Sequence, residues 1–245
     1  MKLMFISPIT DENFEEKSRQ ESLKYVSTGT EIEVRRVPYG TASIEGAMDE
    51  ALAQPGIIKV GMDAQTEGFD GIFVSCMGDP GVNALREAVD IPVVGPCRTT
   101  MLYCADIAAR FSVLTVTDGV IPIIETIAHE LGVAGKLASC KAINIPVLEL
   151  VDLDRTVNAL FKLAIEAIEK YDAEVLMLGC TGMIGVDISL RNQLLNAGYD
   201  IPVLYPVPIS IRYLETLVKN KLSQSRMTYV KPLDKDRSIF NMLNR

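Results

Sequence analysis

A chain of 245 residues, 48% of them hydrophobic, is long and apolar enough for one large α/β domain or two smaller lobes, and too apolar for disorder. Its formal net charge of -8 argues against a nucleic-acid-binding face, and no Lys/Arg-rich helix indicates binding to a membrane surface. No apolar run reaches the roughly 18 residues of a membrane span, and the polar start does not fit a signal peptide. We therefore expect a cytoplasmic protein.

Predicted strands and helices alternate along the chain, which is typical of parallel α/β sheets. The predicted strands are residues 2–7, 31–37, 71–76, 92–95, 110–117, 138–143, 173–179 and 202–205. The predicted helices are residues 15–28, a segment from about 44 that Gly56 and Gly61 break or restart, 81–89, 99–109, 121–131, 154–171, 185–196 and 207–221. Asp79 is expected to cap the helix over 81–89, with Pro80 in its first turn.

The chain contains an internal repeat centred on two cysteines. Residues 68–81 (GFDGIFVSCMGDPG) align with residues 172–185 (DAEVLMLGCTGMIG) when Cys76 is placed on Cys180. In this alignment the acidic residue before each strand also matches, Asp70 with Glu174 in the printed sequence. Each cysteine then ends a buried strand, where open α/β sheets bind their ligands.

A second similarity, between IPVVGP at 91–96 and IPVLYP at 201–206, extends the repeat. The sequence therefore predicts two pseudo-symmetric lobes, each a parallel sheet flanked by helices, with an active site in the cleft between them and a thiol on either side of one small molecule. The predicted divisions are 1–96 plus 207–225 for the first lobe, 97–206 for the second, and 226–245 for a C-terminal tail.

The cysteine pattern argues against disulfides and metal. The five cysteines include no CxxC pair, and the one histidine offers no zinc-ligand spacing, so reduced cysteines without a metal are expected. Cys97, Cys104 and Cys140 have no twin and no glycine-rich turn, and are interpreted as small buried hydrophobic residues.

Three motifs carry a resemblance to a known family. They are ASIEG at 42–46 with DEA at 49–51 and QPG at 54–56, Cys76 with GDPG at 78–81 and ALRE at 84–87, and LGCTGM at 178–183. Together with FSVLT at 111–115 they resemble the aspartate/glutamate/hydantoin racemase superfamily. Aspartate and glutamate racemases usually follow the second cysteine with Thr-Glu, whereas Thr181-Gly182-Met183 is similar to the hydantoin (allantoin) racemase branch.

This resemblance implies a cofactor-independent racemase of a 5-substituted hydantoin or allantoin-like compound. Such a reaction needs a base on one face of the carbon and an acid on the other, and Cys76 and Cys180 are the expected pair. A thiol suits both roles because its pKa lies only modestly above neutral. A helix predicted after each cysteine is expected to lower the thiol pKa. No cofactor or metal is implied.

The substrate-binding residues expected from these motifs surround the two cysteines. They are Ser7, Ser75, Met77, Gly78, Thr117, Thr181 and Gly182. Thr181 has a hydroxyl for a substrate carbonyl, the glycines permit close backbone approach, and Thr117 either lines the site or only caps a turn. Arg98 is either a carboxylate contact or, more commonly for such residues, a surface arginine near a helix start.

Two loops depart from the family pattern and leave the substrate open. Family members often have Asn-Pro-Asn after the first strand and Gly-Glu-Ala near the fourth, where this chain has SPIT at 7–10 and PCRTT at 96–100. An aspartate/glutamate-type amino-acid racemase is the alternative enzyme. Arylmalonate decarboxylases, which share the scaffold, use one catalytic cysteine, so the pair counts against them.

A non-catalytic two-lobe ligand-binding protein is the alternative of another class, although it would not require a thiol at both twin positions. The expected partner is a small-molecule substrate, without nucleic acid or membrane. A homo-oligomer is an assembly that the resemblance allows.

Overall fold

The computed structural model describes residues 1–238, in which eight strands alternate with eight α-helices. The strands are β1 (Lys2–Ser7), β2 (Glu31–Arg36), β3 (Gly71–Val74), β4 (Val93–Val94), β5 (Phe111–Thr115), β6 (Leu137–Ala142), β7 (Val175–Leu178) and β8 (Val203–Leu204). The helices are α1 (Glu12–Leu23), α2 (Ala47–Thr66), α3 (Val82–Ala88), α4 (Pro96–Ile107), α5 (Ile121–Glu130), α6 (Leu153–Tyr171), α7 (Val186–Asn196) and α8 (Pro206–Lys219). No helix in this described part is both long and apolar enough to cross a membrane.

The strands form two parallel four-stranded sheets of the same topology. The first has the order β2-β1-β3-β4 and the second β6-β5-β7-β8, and every adjacent pair is parallel. The strand before Cys76 and the strand before Cys180 therefore occupy the same place in their sheets. The predicted parallel α/β fold with two matching halves is confirmed.

The acidic residue before each of these strands makes the same contact in both halves. The Asp70 carboxylate accepts the backbone N–H of Lys2 at 2.7 Å, and the Glu174 carboxylate accepts that of Ala109 at 2.8 Å. Each carboxylate therefore satisfies a backbone donor near the start of the neighbouring strand. This shared contact explains why both halves have an acidic residue at the aligned position.

The chain divides into two compact units. The first contains Met1–Ile44, Met48–Pro96 and the residues from Ser210 onward, and the second contains Glu45–Ala47 and Cys97–Ile209. Sequence alone places residues 45–47 and 207–209 in the first lobe, whereas the structure places them in the second unit. The second unit therefore contains residues from both halves of the sequence.

The first sheet is buried on both faces, as a parallel sheet with helical crossovers must be. Met4 and Ile6 face the core formed with Ile57 of α2 and Leu85 of α3. On alternate positions, the Phe5 and Phe73 rings meet edge to face with centroids 4.8 Å apart. This burial fixes the direction of β1 and β3, and hence the positions of the loops that follow them.

Helix α2 corrects the predicted break near residue 56. It runs from Ala47 to Thr66 without interruption, and it begins later than the start predicted near residue 44. A Cβ on Gly56 would lie 3.0 Å from the Tyr39 carbonyl oxygen, and a Cβ on Gly61 would overlap Leu85. These glycines therefore allow close packing of the helix rather than ending it.

In the second unit, the long helix α6 buries one side and caps its own start. Val157, Leu160 and Ala164 are buried at the i, i+3 and i+7 spacing of a single helical face. The Asp152 side chain accepts the N–H of Arg155 at 3.0 Å, which satisfies one of the free donors of the first turn.

The described part of the predicted tail lies in the first unit. Arg226 and Lys231 both pair with the Asp90 carboxylate, at 2.8 and 2.7 Å. Ser223 donates to the Asp90 carbonyl at 2.6 Å. These contacts fasten the chain after α8 to the turn between α3 and β4, while residues 239–245 of the predicted tail lie outside the described residues.

Candidate active site

Cys76 lies in a tight turn at the carboxyl end of β3. Its N–H donates to the Val74 carbonyl at 3.0 Å, and its carbonyl accepts the N–H of Asp79 at 2.9 Å. Gly81, the residue before α3, has φ of 70°, a left-handed conformation that glycine adopts without strain. Cys76 is partly exposed, and it also packs against the hydrophobic core of the first unit.

Cys180 lies in a matching turn at the carboxyl end of β7. Its carbonyl accepts the N–H of Met183 at 3.3 Å, and Gly185, with φ of 74°, immediately precedes α7. The Gly182 N–H also donates to the Cys180 sulfur at 3.3 Å. The glycine that precedes the helix follows each cysteine at the same sequence distance, so the repeat produces the same local turn in both units.

The environment of Cys180 corrects one expectation about its thiol. Burial raises the pKa of Cys180 to about 11, the Gly182 N–H opposes this rise, and the Glu45 charge adds to it. The predicted lowering of the pKa is therefore wrong for Cys180. The main cause is burial of the thiol, and α7 begins only at Val186, so Cys180 does not lie in the first turn of that helix. At neutral pH Cys180 is a protonated thiol, the form that donates a proton.

Asp79 does not cap α3, so the cap predicted from the sequence is wrong. The residue before the helix is Gly81, and no side chain caps it. Asp79 has φ of 50° and is buried, and its carboxyl group lies directly against Gly95, where any Cβ would overlap it. The Asp79 side chain therefore lies between the Cys76 turn and the end of β4.

Asp79 has an acidic neighbour, Glu50 of α2, that the sequence analysis did not single out. Burial, followed by the negative charge of Asp79, raises the pKa of Glu50 from 4.5 to about 7. The Glu50 Oε1 atom is buried and has no hydrogen-bond partner among the described residues. No motif signals this contact, because it depends on packing between segments about 30 residues apart.

We expect Glu50→Gln to change the pH dependence of stability. Because the folded pKa lies above the unfolded one, the stability that the Glu50 proton contributes is present below pH 4.5 and is lost as pH rises through about 7. The variant should equal wild type near pH 4.5 and exceed it by about 1–2 kcal/mol at pH 8, after allowance for partial exposure. Urea unfolding at both pH values measures this difference.

Glu87→Gln on the exposed side of α3 is the matched control, and it should show no such growth between the two pH values. If Glu50→Gln and Glu87→Gln changed stability equally at pH 8, the paired burial of Glu50 and Asp79 would not be the cause.

Two predicted hydroxyl groups are buried without a partner. The Ser7 Oγ at the end of β1 and the Thr117 Oγ1 after β5 have no hydrogen-bond partner among the described residues. Thr117 precedes the 3₁₀ turn Asp118–Val120 but makes no side-chain cap there. Each hydroxyl group therefore retains a hydrogen-bonding capacity that a ligand can satisfy.

The other predicted residues lie next to the two cysteines in their turns. Ser75 and Met77 are buried beside Cys76, and Gly78 is partly exposed. Thr181 is buried, and its carbonyl accepts the Tyr205 hydroxyl at 2.7 Å.

Arg98 lies on α4, with its guanidinium 3.8 Å from the Glu130 carboxylate of α5. A protein carboxylate therefore lies beside the guanidinium that the sequence suggests as a possible contact for a substrate carboxylate.

The predicted residues fall into two groups, one in each unit. The first lies at the ends of β1 and β3 and contains Ser7, Ser75, Cys76, Met77 and Gly78. The second lies at the ends of β5 and β7 and contains Thr117, Cys180, Thr181 and Gly182. Each group contains one of the two twin cysteines.

The sequence analysis missed Thr115, which the strand repeat would have identified. Thr115 ends β5 as Ser7 ends β1, and its hydroxyl donates to the Gly179 carbonyl at 3.0 Å. Glu45 lies in the second unit, a placement that no local sequence signal indicates.

Comparisons with known proteins agree on one family. Residues 3–214 match the family model described as Asp/Glu/Hydantoin racemase. A hydantoin racemase from Paenarthrobacter aurescens is 32% identical over 238 residues, covering 96% of this chain and 99% of that protein. The allantoin racemase structure from Klebsiella pneumoniae has a TM-score of 0.88 and 29% identity, covering 96% of this chain and 95% of its own. The allantoin racemase structure from Pseudomonas fluorescens has a TM-score of 0.88 and 28% identity, covering 97% and 99%.

Proposed function

Since this chain belongs to the Asp/Glu/hydantoin racemase family, we propose that it racemises a 5-substituted hydantoin or allantoin-like compound without a cofactor. The observation that carries the proposal is the pair of matched cysteine turns at equivalent strand ends. A repeated scaffold explains the repeated turn, but only two-sided chemistry explains the thiol at both positions. The named activities of the hydantoin and allantoin racemases that it resembles support the substrate class.

In the proposed reaction, Cys76 and Cys180 act on opposite faces of one ring carbon. A thiolate removes the proton from C5, the carbanion is delocalised into the C4 carbonyl as an enolate, and the opposite thiol delivers its proton to the other face. Cys180 starts as the donor because its thiol pKa is raised to about 11, and the partly exposed Cys76 starts as the base. The two sulfurs exchange roles for the reverse reaction, so one site serves both enantiomers.

The two unpartnered hydroxyl groups are the proposed contacts for the ring. Ser7 and Thr117 each have a buried oxygen without a partner among the described residues. A hydantoin ring presents two carbonyl acceptors and two N–H donors, which hydroxyl groups can match. Backbone N–H groups of the Gly78 and Gly182 turns would stabilise the enolate oxygen as its charge develops.

The position of Arg98 supports a ring substrate over an amino-acid substrate. An aspartate/glutamate-type racemase binds a carboxylate, and Arg98 is the one possible contact that the sequence suggests. Its guanidinium instead lies beside Glu130, which already supplies a carboxylate. The five cysteines are reduced, which suits the proposed cytoplasmic setting, and the proposed partner is a small molecule. A homo-oligomeric assembly, without nucleic acid or membrane, completes the proposal.

The test is to incubate single enantiomers of allantoin and of 5-substituted hydantoins with the enzyme in deuterium oxide. Optical rotation should fall to zero, and each inverted molecule should carry one deuterium at C5. Controls without enzyme correct for spontaneous racemisation, and L-aspartate and L-glutamate test the alternative substrates. Ligand binding without exchange of the C5 proton would support the non-catalytic binding protein instead.

A further inference from the structure

Glu45 makes two contacts in the second unit. Its side-chain Oε1 accepts the N–H of Val147 at 2.9 Å, in the loop after β6. Its backbone carbonyl lies so close to Gly119, in the loop after β5, that a Cβ there would approach within 2.5 Å of the oxygen. Glu45 therefore joins two loops that follow neighbouring strands.

These loops lie at the same edge of the second sheet as the Cys180 turn. β5 pairs with β6 on one side and with β7 on the other, all parallel, so their carboxyl ends share one edge. Two hydrogen bonds also link the loops. The Ile145 N–H donates to the Val116 carbonyl at 3.1 Å, and the Asp118 N–H donates to the Asn144 side chain at 3.2 Å. Glu45 thus contacts two loops that share this sheet edge with the Cys180 turn.

The charge of Glu45 acts on the Cys180 thiol. It raises the thiol pKa, in the same direction as burial and against the Gly182 N–H. The Tyr205 phenol also contacts this turn, because it donates to the Thr181 carbonyl at 2.7 Å. Glu45 is therefore the carboxylate whose field opposes ionisation of this sulfur.

We propose that Glu45 is a positioning residue for Cys180, which links the loops at this edge and adds to burial in favouring the protonated thiol. The proposal rests on the proposed function, in which Cys180 starts as the acid. The two cysteines then start in different roles, Cys180 as the acid and Cys76 as the base, although their turns are alike. In a racemase, such a bias decides which enantiomer the resting enzyme accepts first.

Glu45→Gln removes the charge but retains the hydrogen bond, because the amide oxygen still accepts the Val147 N–H. The alkylation rate of Cys180 by iodoacetamide is measured against pH, using the tryptic peptide of residues 171–191, which contains no other cysteine. The midpoint should fall by about one pH unit in Glu45→Gln. The alkaline limb of kcat/KM should move to lower pH by a similar amount, whereas a purely structural role would leave both midpoints in place.

Two further variants complete the experiment. Glu45→Ala removes both the charge and the hydrogen bond to Val147. It should therefore also increase the rate of hydrogen exchange at the Val147 amide. Glu149→Gln removes an exposed carboxylate that pairs with Arg155 at 3.0 Å, and it should leave the Cys180 midpoint unchanged. An unchanged Cys180 midpoint in Glu45→Gln overturns the proposal. Since alkylation needs no substrate, this result is independent of whether the enzyme racemises hydantoins.

Discussion

Replacing Cys76 or Cys180 by serine is expected to lower the racemisation rate by about 10²–10⁴-fold, the usual contribution of a positioned acid or base. Serine preserves the size of the side chain but is far less acidic than a thiol. Optical rotation of single-enantiomer substrate measures the loss. Urea unfolding of each variant should remain close to wild type, which separates chemistry from folding.

The two cysteine variants should differ in the enantiomer on which they still act. Each retains one thiol, which can remove and return a proton on its own face. Deuterium exchange without inversion should therefore persist for one enantiomer in Cys76→Ser and for the opposite one in Cys180→Ser. If both variants lost deuterium exchange with the same enantiomer, the two cysteines would not act on opposite faces of the ring carbon. Cys140→Ala, at a buried cysteine of β6 whose thiol pKa is raised to about 12, is the control that should retain activity.

Gly179→Ala is expected to destabilise the protein by about 1–3 kcal/mol, as overpacking in a closed core does. A Cβ on Gly179 would lie 2.6 Å from the Thr115 Cβ and 2.8 Å from the Thr115 Cα. A change of the Thr115 rotamer moves neither its Cα nor its Cβ, so it cannot relieve the contact with the new methyl group at position 179, and β7 must shift. Cys180 is the next residue, and a displacement of the sulfur should lower kcat by about 10²-fold.

Urea unfolding and steady-state kinetics of the Gly179→Ala variant measure the two effects. Gly135→Ala is the matched control, since a Cβ there would meet nothing within 4 Å. It should change neither stability nor kcat beyond the small effect of a surface substitution. If Gly179→Ala behaved like Gly135→Ala, the close approach of Gly179 to Thr115 would have no energetic consequence.

The parallel fold and the twin cysteine turns could be predicted from the sequence because both are local. A buried apolar strand, a cysteine and a glycine that precedes the next helix lie within 14 consecutive residues in each half, at 68–81 and 172–185. Alternation of strands with helices then favours parallel sheets, and that prediction is confirmed.

The features that sequence could not supply depend on contacts between distant segments. Gly61 suggests a helix break until its neighbour Leu85 is known. Asp79 before a proline suggests a cap, but its carboxyl group lies against Gly95. The thiol pKa of Cys180 follows from burial and from the distant Glu45, neither of which a local helix argument includes.

The placement of Glu45–Ala47 bears on how this protein can be recombined with its relatives. A crossover after Pro96 gives a donated second half that lacks its own Glu45, so the Val147 amide would depend on a carboxylate inherited from the other parent. Chimaeras should therefore transfer the tripeptide at 45–47 together with residues 97–209, as a single inherited module.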